Sequence, residues 1–279
     1  MKTIAIIGHG YVGKAMKGFF QDNYEILIFD PAYIGSNGPE ETKKEINERA
    51  DLAVICVPTP SAEDGSVDTS FVESSVEWLE TPLILIKSTV PPGTTRALTK
   101  KYNKRIAFSP ETAMQEGGYE IPFWKGYPHP TDMKKHDHLV IGADDEQVAK
   151  DILEFFKPIL GPFVNYQITE VEAAEMSKYV TNVYLSTIVT FWNEIKDVCE
   201  WHNITFEKVR ELVLLDKRVS PTHSVVFENK RGFGGKCLPK DTKGLVKFAQ
   251  ELGYEPELLK SVLTTNEKFN ERNDNSDNG

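Results

Sequence analysis

Cysteine is scarce in this chain: Cys56, Cys199 and Cys237 are its three in 279 residues. An odd count at such wide spacing excludes a disulfide framework and a four-thiolate metal site. Long hydrophobic runs are also missing. No stretch approaches the ~20 apolar residues of a membrane-spanning helix. The opening run MKTIAII breaks at Gly8 and Gly10, short of a signal-peptide core. No membrane partner is expected, and a cytoplasmic location is. The third shortage is positive charge. Lys and Arg number 32 against 42 Asp and Glu, a net charge of −10, and no basic patch offers nucleic acid its phosphate contacts. With 40% hydrophobic and 27% charged residues, the composition is globular, and the length suffices for two domains.

The first half carries a dinucleotide signature. The apolar run Thr3–Ile7 reads as a buried parallel strand and leads into Gly8-His9-Gly10-Tyr11-Val12-Gly13, followed by helical spacing over 14–21. A second apolar run over 25–29 ends in Asp30, an acid about 20 residues on from the glycines, as the fingerprint requires. Gly8 permits the tight turn, Gly10 lets a pyrophosphate approach the backbone, and Gly13 lets helix and strand pack closely. The pyrophosphate sits on the amides of the helix N-terminus. Asp30 accepts from a ribose diol and repels a 2′-phosphate, so NAD is expected rather than NADP. Asp22, in the loop before the second strand, reads as solvated.

Further strands are expected over 52–57, 83–87, 105–108 and 139–142, with a helix over 71–79. Such alternation predicts a doubly wound, Rossmann-like parallel sheet over residues 1–166. Ligands gather at the C-terminal ends of such strands, where Pro58, Thr59, Ser88, Thr89, Ser109 and Glu111 fall.

The second half reads as an all-α domain over 167–270, built on one long helix from Thr169 to His202 that contains neither Pro nor Gly. Lys178 and Asn182, four apart, share a face of it; taken alone, they read as a solvent-facing polar pair. Cys56 and Cys199 sit in apolar patterns and read as core residues. Cys237 differs. It follows three glycines in RGFGGKCLPKD, is flanked by Lys236 and Lys240, and has Asp241 four residues beyond. Positive charge beside a thiol favours its thiolate, so Cys237 is the candidate nucleophile.

These strings together carry a resemblance. GHGYVG, CVPTP with DGSVDTS, KSTVPPGTT, SPE, EAAEMSKYVTNVYLSTIVTFWNEI and GFGGKCLPKDTKGL follow one another over nearly the whole chain. In that order they are similar to the UDP-glucose/GDP-mannose dehydrogenase family. The resemblance implies a four-electron oxidation of a nucleotide-sugar CH2OH to a carboxylate, with two NAD consumed. It implies a thiohemiacetal and then a thioester on Cys237, and an oxyanion stabilised by Lys178 and Asn182. It gives proton transfer to Asp241 with Thr89, and hydrolytic water to Glu111. Substrate contacts fall to Glu111, Lys178, Asn182, Phe233, Gly234 and Arg218, the last reaching a neighbouring subunit of a homodimer formed by the helical domain.

The sequence also departs from the pattern. The family continues into a third, Rossmann-like domain that completes the nucleotide site, and these 279 residues carry no counterpart, so a short form is expected. The stretch 261–271 resembles the start of a linking helix, and 271–279 is expected to be a disordered tail. After Glu111 one residue is extra, so either Gln115 or Glu116 takes the second acidic position; Glu116 is counted with the cofactor contacts. The long segment 117–138 is either a lid whose Phe123, Trp124 and Tyr127 stack on substrate or an irregular surface insertion. His129, His136 and His138 lie in it without the carboxylate or thiol pattern of a metal site, and no metal is expected. Two rival functions share the fold: a two-electron β-hydroxyacid-type dehydrogenase, which has no need of Cys237, and a non-catalytic or partner-dependent NAD-binding module.

Overall fold

The computed structural model describes residues 1–31, 43–111 and 133–276. They divide into two compact units, one of Met1–Pro60 with Asp68–Lys178, the other of Ser61–Val67 with the residues from Tyr179 onward.

The first unit holds a seven-stranded sheet. In chain order it comprises β1 (Thr3–Ile7), α1 (Tyr11–Phe20), β2 (Glu25–Phe29), α2 (Lys43–Arg49), β3 (Leu52–Ile55), α3 (Ser70–Trp78) and β4 (Ile84–Ile86). Then come α4 (Thr94–Tyr102), β5 (Ile106–Phe108), β6 (His138–Ala143), α5 (Glu146–Leu160) and β7 (Asn165–Thr169). The strands lie in the order β2-β1-β3-β4-β5-β6-β7, with Ile4 opposite both Ile26 and Leu52. The continuous apolar runs follow from burial on both faces. Along β1, Ile4 and Ile6 point into one core, with Met16, Phe19 and Phe20 of α1 and Ile152 and Phe156 of α5. Ala5 and Ile7 point into the other, with Ile46 of α2, Val72 and Val76 of α3 and Leu98 of α4.

The expected parallel order holds except between β5 and β6, which pair antiparallel through Ala107–Ala143 and Phe108–Gly142. An apolar run reads alike in both directions, so periodicity carries no sign of the reversal. Strand β7, parallel to β6, carries the sheet past residue 166, where the sequence placed the boundary. Its sequence NYQIT alternates polar and apolar at the sheet edge and gives no buried run.

The helix α6 (Val171–Trp201) spans 31 residues, within two residues of the expected bounds at either end. Its first two turns belong to the first unit, where Val171 and Ala174 join the second core. The second unit takes the rest, with α7 (Phe206–Val213), α8 (Leu238–Glu251) and α9 (Glu257–Ser276). Its small apolar centre is Trp192, Cys199 and Phe206, packed with Ile188, Ile195 and Val209. The short Ser61–Val67 excursion, closed by a bridge between its end residues, belongs to this unit: Asp64 pairs with Lys247 at 3.2 Å. The stretch expected as a tail from residue 271 is helical as far as Ser276. Asn273 explains the extension, because its side chain is bonded at both ends to the backbone of Arg231.

Candidate active site

In the first unit the glycine turn lies between β1 and α1. Gly8 has φ +89°, and a Cβ there would stand 2.7 Å from the Cys56 carbonyl oxygen. A Cβ on Gly13 would stand 2.0 Å from the Gly8 carbonyl oxygen, so helix and strand meet at a distance only glycine allows. Gly10 is different: a Cβ there meets nothing within 4 Å. The space beside it adjoins the α1 N-terminus, whose cap makes no side-chain hydrogen bond. Tyr11 and Val12 form the first turn. Asp30, just past β2, accepts a hydrogen bond from the His9 N–H at 2.6 Å, which fixes the acid beside the turn. An open approach to helix amides with a carboxylate one strand away fits a dinucleotide.

Pro58 and Thr59 follow β3, Thr89 follows β4 and Glu111 follows β5, all at the C-terminal strand ends. Thr59 and Glu111 are buried. Beneath them lies a residue that sequence reasoning placed only at a strand end. Lys87 is 1% exposed; its ammonium donates to the Pro110 carbonyl at 2.7 Å and to Ser109 Oγ at 3.3 Å, and stands 3.9 Å from Glu111 Oε2. Burial pulls the Lys87 ammonium below the usual lysine range and Glu111 pushes it back up, while the charge of Lys178 on α6 adds to the depression. Burial, with Glu111, pushes the neighbouring Cys56 thiol far up, so Cys56 is an inert core thiol. The signal was legible: a lysine closing the apolar run Leu83–Ile86 has no water to reach.

A second unanticipated group is Glu175 on α6. Fully buried, it accepts from the backbone N–H groups of Gly93 at 2.6 Å and Thr95 at 2.8 Å, at the start of α4. Burial raises its carboxyl to about 7 against these hydrogen bonds.

In the second unit, Cys237 is the one exposed cysteine of the three. It occupies the N-cap of α8, and its carbonyl accepts from the Asp241 N–H at 2.9 Å, the first helical bond. Asp241 is 1% exposed. Its carboxylate accepts from the Asn182 side-chain amide and from the Lys240 ammonium, the latter at 2.6 Å. Lys240, expected to flank the thiol, thus pairs with Asp241. Thr242 Oγ1 bonds Ser186 Oγ at 3.0 Å, and Ser186 in turn bonds the Asn182 carbonyl. Asn182 is therefore buried and hydrogen-bonded rather than solvent-facing, while Lys178 on the same face is half-buried. Phe233 is buried and Gly234 exposed. Arg218 extends into solvent, its guanidinium on Asp216.

Glu116, Phe123, Trp124, Tyr127 and His129 lie outside the described residues. His136 is buried and His138 contacts Asp137. Among the described residues no three His, Cys, Asp or Glu side chains group as metal ligands, and no helix is long and apolar enough to cross a membrane.

Two family models match consecutive stretches of the chain: the NAD binding domain of the UDP-glucose/GDP-mannose dehydrogenase family over residues 38–160, and its central domain over 172–268. The chain belongs to this family. The NAD-binding match falls on the sheet-bearing part of the chain and the central-domain match begins within the long helix α6. Similar relatives include two UDP-glucose 6-dehydrogenases of Bacillus subtilis, TuaD at 28% identity over 96% of this chain and YwqF at 30% over 91%. The chain spans 63% and 57% of their respective lengths. A UDP-glucose dehydrogenase from Pyrobaculum islandicum superposes with a TM-score of 0.79 at 27% identity, covering 96% of this chain and 68% of that one. A UDP-D-ManNAc dehydrogenase from Pyrococcus horikoshii shares the fold, with a TM-score of 0.75 at 21% identity, covering 96% of this chain and 68% of that one.

Proposed function

We propose that this chain oxidises the primary alcohol of a nucleotide-sugar to the carboxylate through a covalent adduct on Cys237. The observation that carries the reading is the pairing of an exposed thiol at the head of α8 with a buried carboxylate one turn on, itself held by Asn182 and Lys240. The glycine turn over Gly8–Gly13 would hold NAD, which would supply the hydride acceptor for each of the two oxidations.

The chain's residues do the rest. An aldehyde has no hydrogen to give as hydride from a tetrahedral carbon until a nucleophile adds to it. The Cys237 sulfur supplies that bond, making a thiohemiacetal whose oxygen takes up a proton. Loss of hydride and of that proton leaves a thioester. Water then attacks the acyl carbon, the C–S bond breaks, and the carboxylate leaves with the thiol restored. Lys178 and Asn182 stabilise the oxyanion at each stage. Asp241 and Thr89 move the protons, and Glu111, held over Lys87, activates the hydrolytic water. Asp30 would hold the ribose diol, and Tyr11, Val12, Pro58 and Thr59 would line the cofactor. Phe233, Gly234 and Arg218 contact the substrate.

A homodimer through the helical unit belongs to the same reading, with Arg218 serving the neighbouring subunit. Val180, Tyr184, Phe191 and Val198 of α6, each at least half exposed, recur at spacings of four and seven and so form one apolar stripe. A cytoplasmic role in polysaccharide biosynthesis follows from the reaction.

The test is NADH formation by the purified chain with a panel of UDP- and GDP-sugars, counted per sugar consumed. Two NADH per sugar with one substrate is the expected result. One NADH per sugar points to the two-electron reaction instead, and NAD binding without turnover to a partner-dependent module.

A further inference from the structure

The glycine-rich strand that delivers Cys237 is gripped from one side by two asparagines of α9. Asn266 is 4% exposed; its Oδ1 accepts from the Phe233 N–H at 2.6 Å and its Nδ2 donates to the Phe233 carbonyl at 2.9 Å. Two helical turns later Asn273 repeats the motif on Arg231, accepting from its N–H and donating to its carbonyl, both at 2.9 Å. Residues seven apart lie on one helix face, so one face of α9 reaches both Arg231 and Phe233. Each amide does what a neighbouring β-strand would do, satisfying a donor and an acceptor of one residue together.

From the other side α6 completes the grip. Asn193 Oδ1 accepts from the Gly232 N–H at 3.1 Å and from Arg231 Nε at 2.8 Å. Arg231, 9% exposed, also donates to the Asn193 carbonyl at 2.8 Å and pairs with Asp197 at 2.5 Å. Gly232 has φ +76°, and a Cβ there would stand 2.5 Å from Asn266 Oδ1, so the residue between the two clamped ones is glycine by necessity.

The clamp stops at Phe233. Gly234 and Gly235 have open space where a Cβ would be, and a turn over 235–237 then enters α8. The thiol therefore hangs on a short turn between two fixed points: Phe233, held by Asn266, and the first helical bond of α8 from Asp241 to the Cys237 carbonyl. Gly234 and Gly235 bring no side chain to lock that turn, so the anchoring of its ends bears directly on its geometry.

We infer that Asn266, seconded by Asn273, is a positioning residue for Cys237: it fixes where the thiol stands without touching it. In its bearing on turnover the inference rests on the proposed role of Cys237, but the placement of the thiol is measurable without turnover. The experiment uses the full chain with Asn266→Ala, Asn266→Asp and Asn273→Ala, and follows alkylation of Cys237 by iodoacetamide as a function of pH. Asn266→Asp keeps the acceptor for the Phe233 N–H and loses the donor to its carbonyl. Asn266→Ala is expected to change the alkylation rate about tenfold, the weight of one to two hydrogen bonds, with Asn266→Asp and Asn273→Ala between it and the parent. The pH profile of alkylation shifts with it, and NADH formed per sugar falls below two while KM for the sugar stays near the parent value. If Asn266→Ala does not fold, the two milder variants carry the same measurement. Folded variants whose alkylation rate and pH profile match the parent overturn the inference. A Cys237→Ser chain that still forms two NADH per sugar overturns the covalent reading alone, and the alkylation result continues to judge the clamp.

Discussion

Asn182 donates its side-chain amide to the carboxylate of Asp241, fifty-nine residues further along the chain, and both groups are buried. Lys240 satisfies the other carboxylate oxygen, so the charge is compensated inside the helical unit. Asp241→Ala strands the largely buried Lys240 ammonium and is expected to cost about 3 kcal/mol in urea unfolding. Asp241→Asn keeps an acceptor for Asn182 and costs about 1–2 kcal/mol. If Asp241 acts as the proposed base, both variants, each lacking a carboxylate, are expected to lower the rate of NADH formation by about 10²- to 10⁴-fold.

The three cysteines separate by exposure. Native alkylation is expected to label Cys237 alone, read by mass spectrometry of peptides, with Cys56 and Cys199 labelled only in denaturant, since only Cys237 is exposed. Cys237→Ser folds like the parent and loses the second oxidation. Cys56→Ser keeps the chemistry but loses about 1–2 kcal/mol of stability, since its hydroxyl enters an apolar core.

Gly10 and Gly13 test cofactor and fold apart from one another. Gly10→Ala places its methyl in open space, so the melting temperature stays within a degree or two while NAD affinity, measured by calorimetry, falls about tenfold or more. Gly13→Ala drives a methyl into the Gly8 carbonyl and costs about 3 kcal/mol or more, with NAD binding lost as the turn deforms. Equal behaviour of the two variants would remove Gly10 from the cofactor site.

Glu175 makes stability depend on pH. Burial lifts its carboxyl from the ordinary 4.5 to about 7 in the folded chain, so the native state holds a proton that the unfolded state releases. Its contribution is most favourable below pH 4.5 and is lost as pH rises towards 7, the reverse of an ion-paired carboxylate. Thermal melts of the parent and of Glu175→Gln across pH 5 to 8 check the sign: the downward slope attributable to this group disappears in the variant.

The sheet was legible because buried parallel strands spell themselves as apolar runs, as Thr3–Ile7 and Leu52–Ile55 do. The glycine turn was legible because Gly8 and Gly13 answer separate steric demands while Gly10 keeps the approach to the helix open. Cys237 stood out because its neighbours are glycines and charges, unlike the apolar settings of Cys56 and Cys199. Other features escaped. The β6 reversal leaves no mark in periodicity, and β7 alternates like a surface strand. Asn266 and Asn273 sit in a polar helix where an asparagine facing solvent and one gripping a backbone look identical in sequence. Lys87 was read only as the end of a strand, and its partners Pro110, Ser109 and Glu111 are seen in the structure.

The seven residues Ser61–Val67 leave the sheet unit and return to it, contributing to the helical unit an ion pair to Lys247 and a methyl of Val67 against Gly244. Neither unit is therefore a contiguous piece of polypeptide. Cutting the gene after Lys178 yields a downstream fragment deprived of that insert and an upstream fragment bearing it without a host. Attempts to dissect the two halves by expression or limited proteolysis are expected to give poorly soluble products.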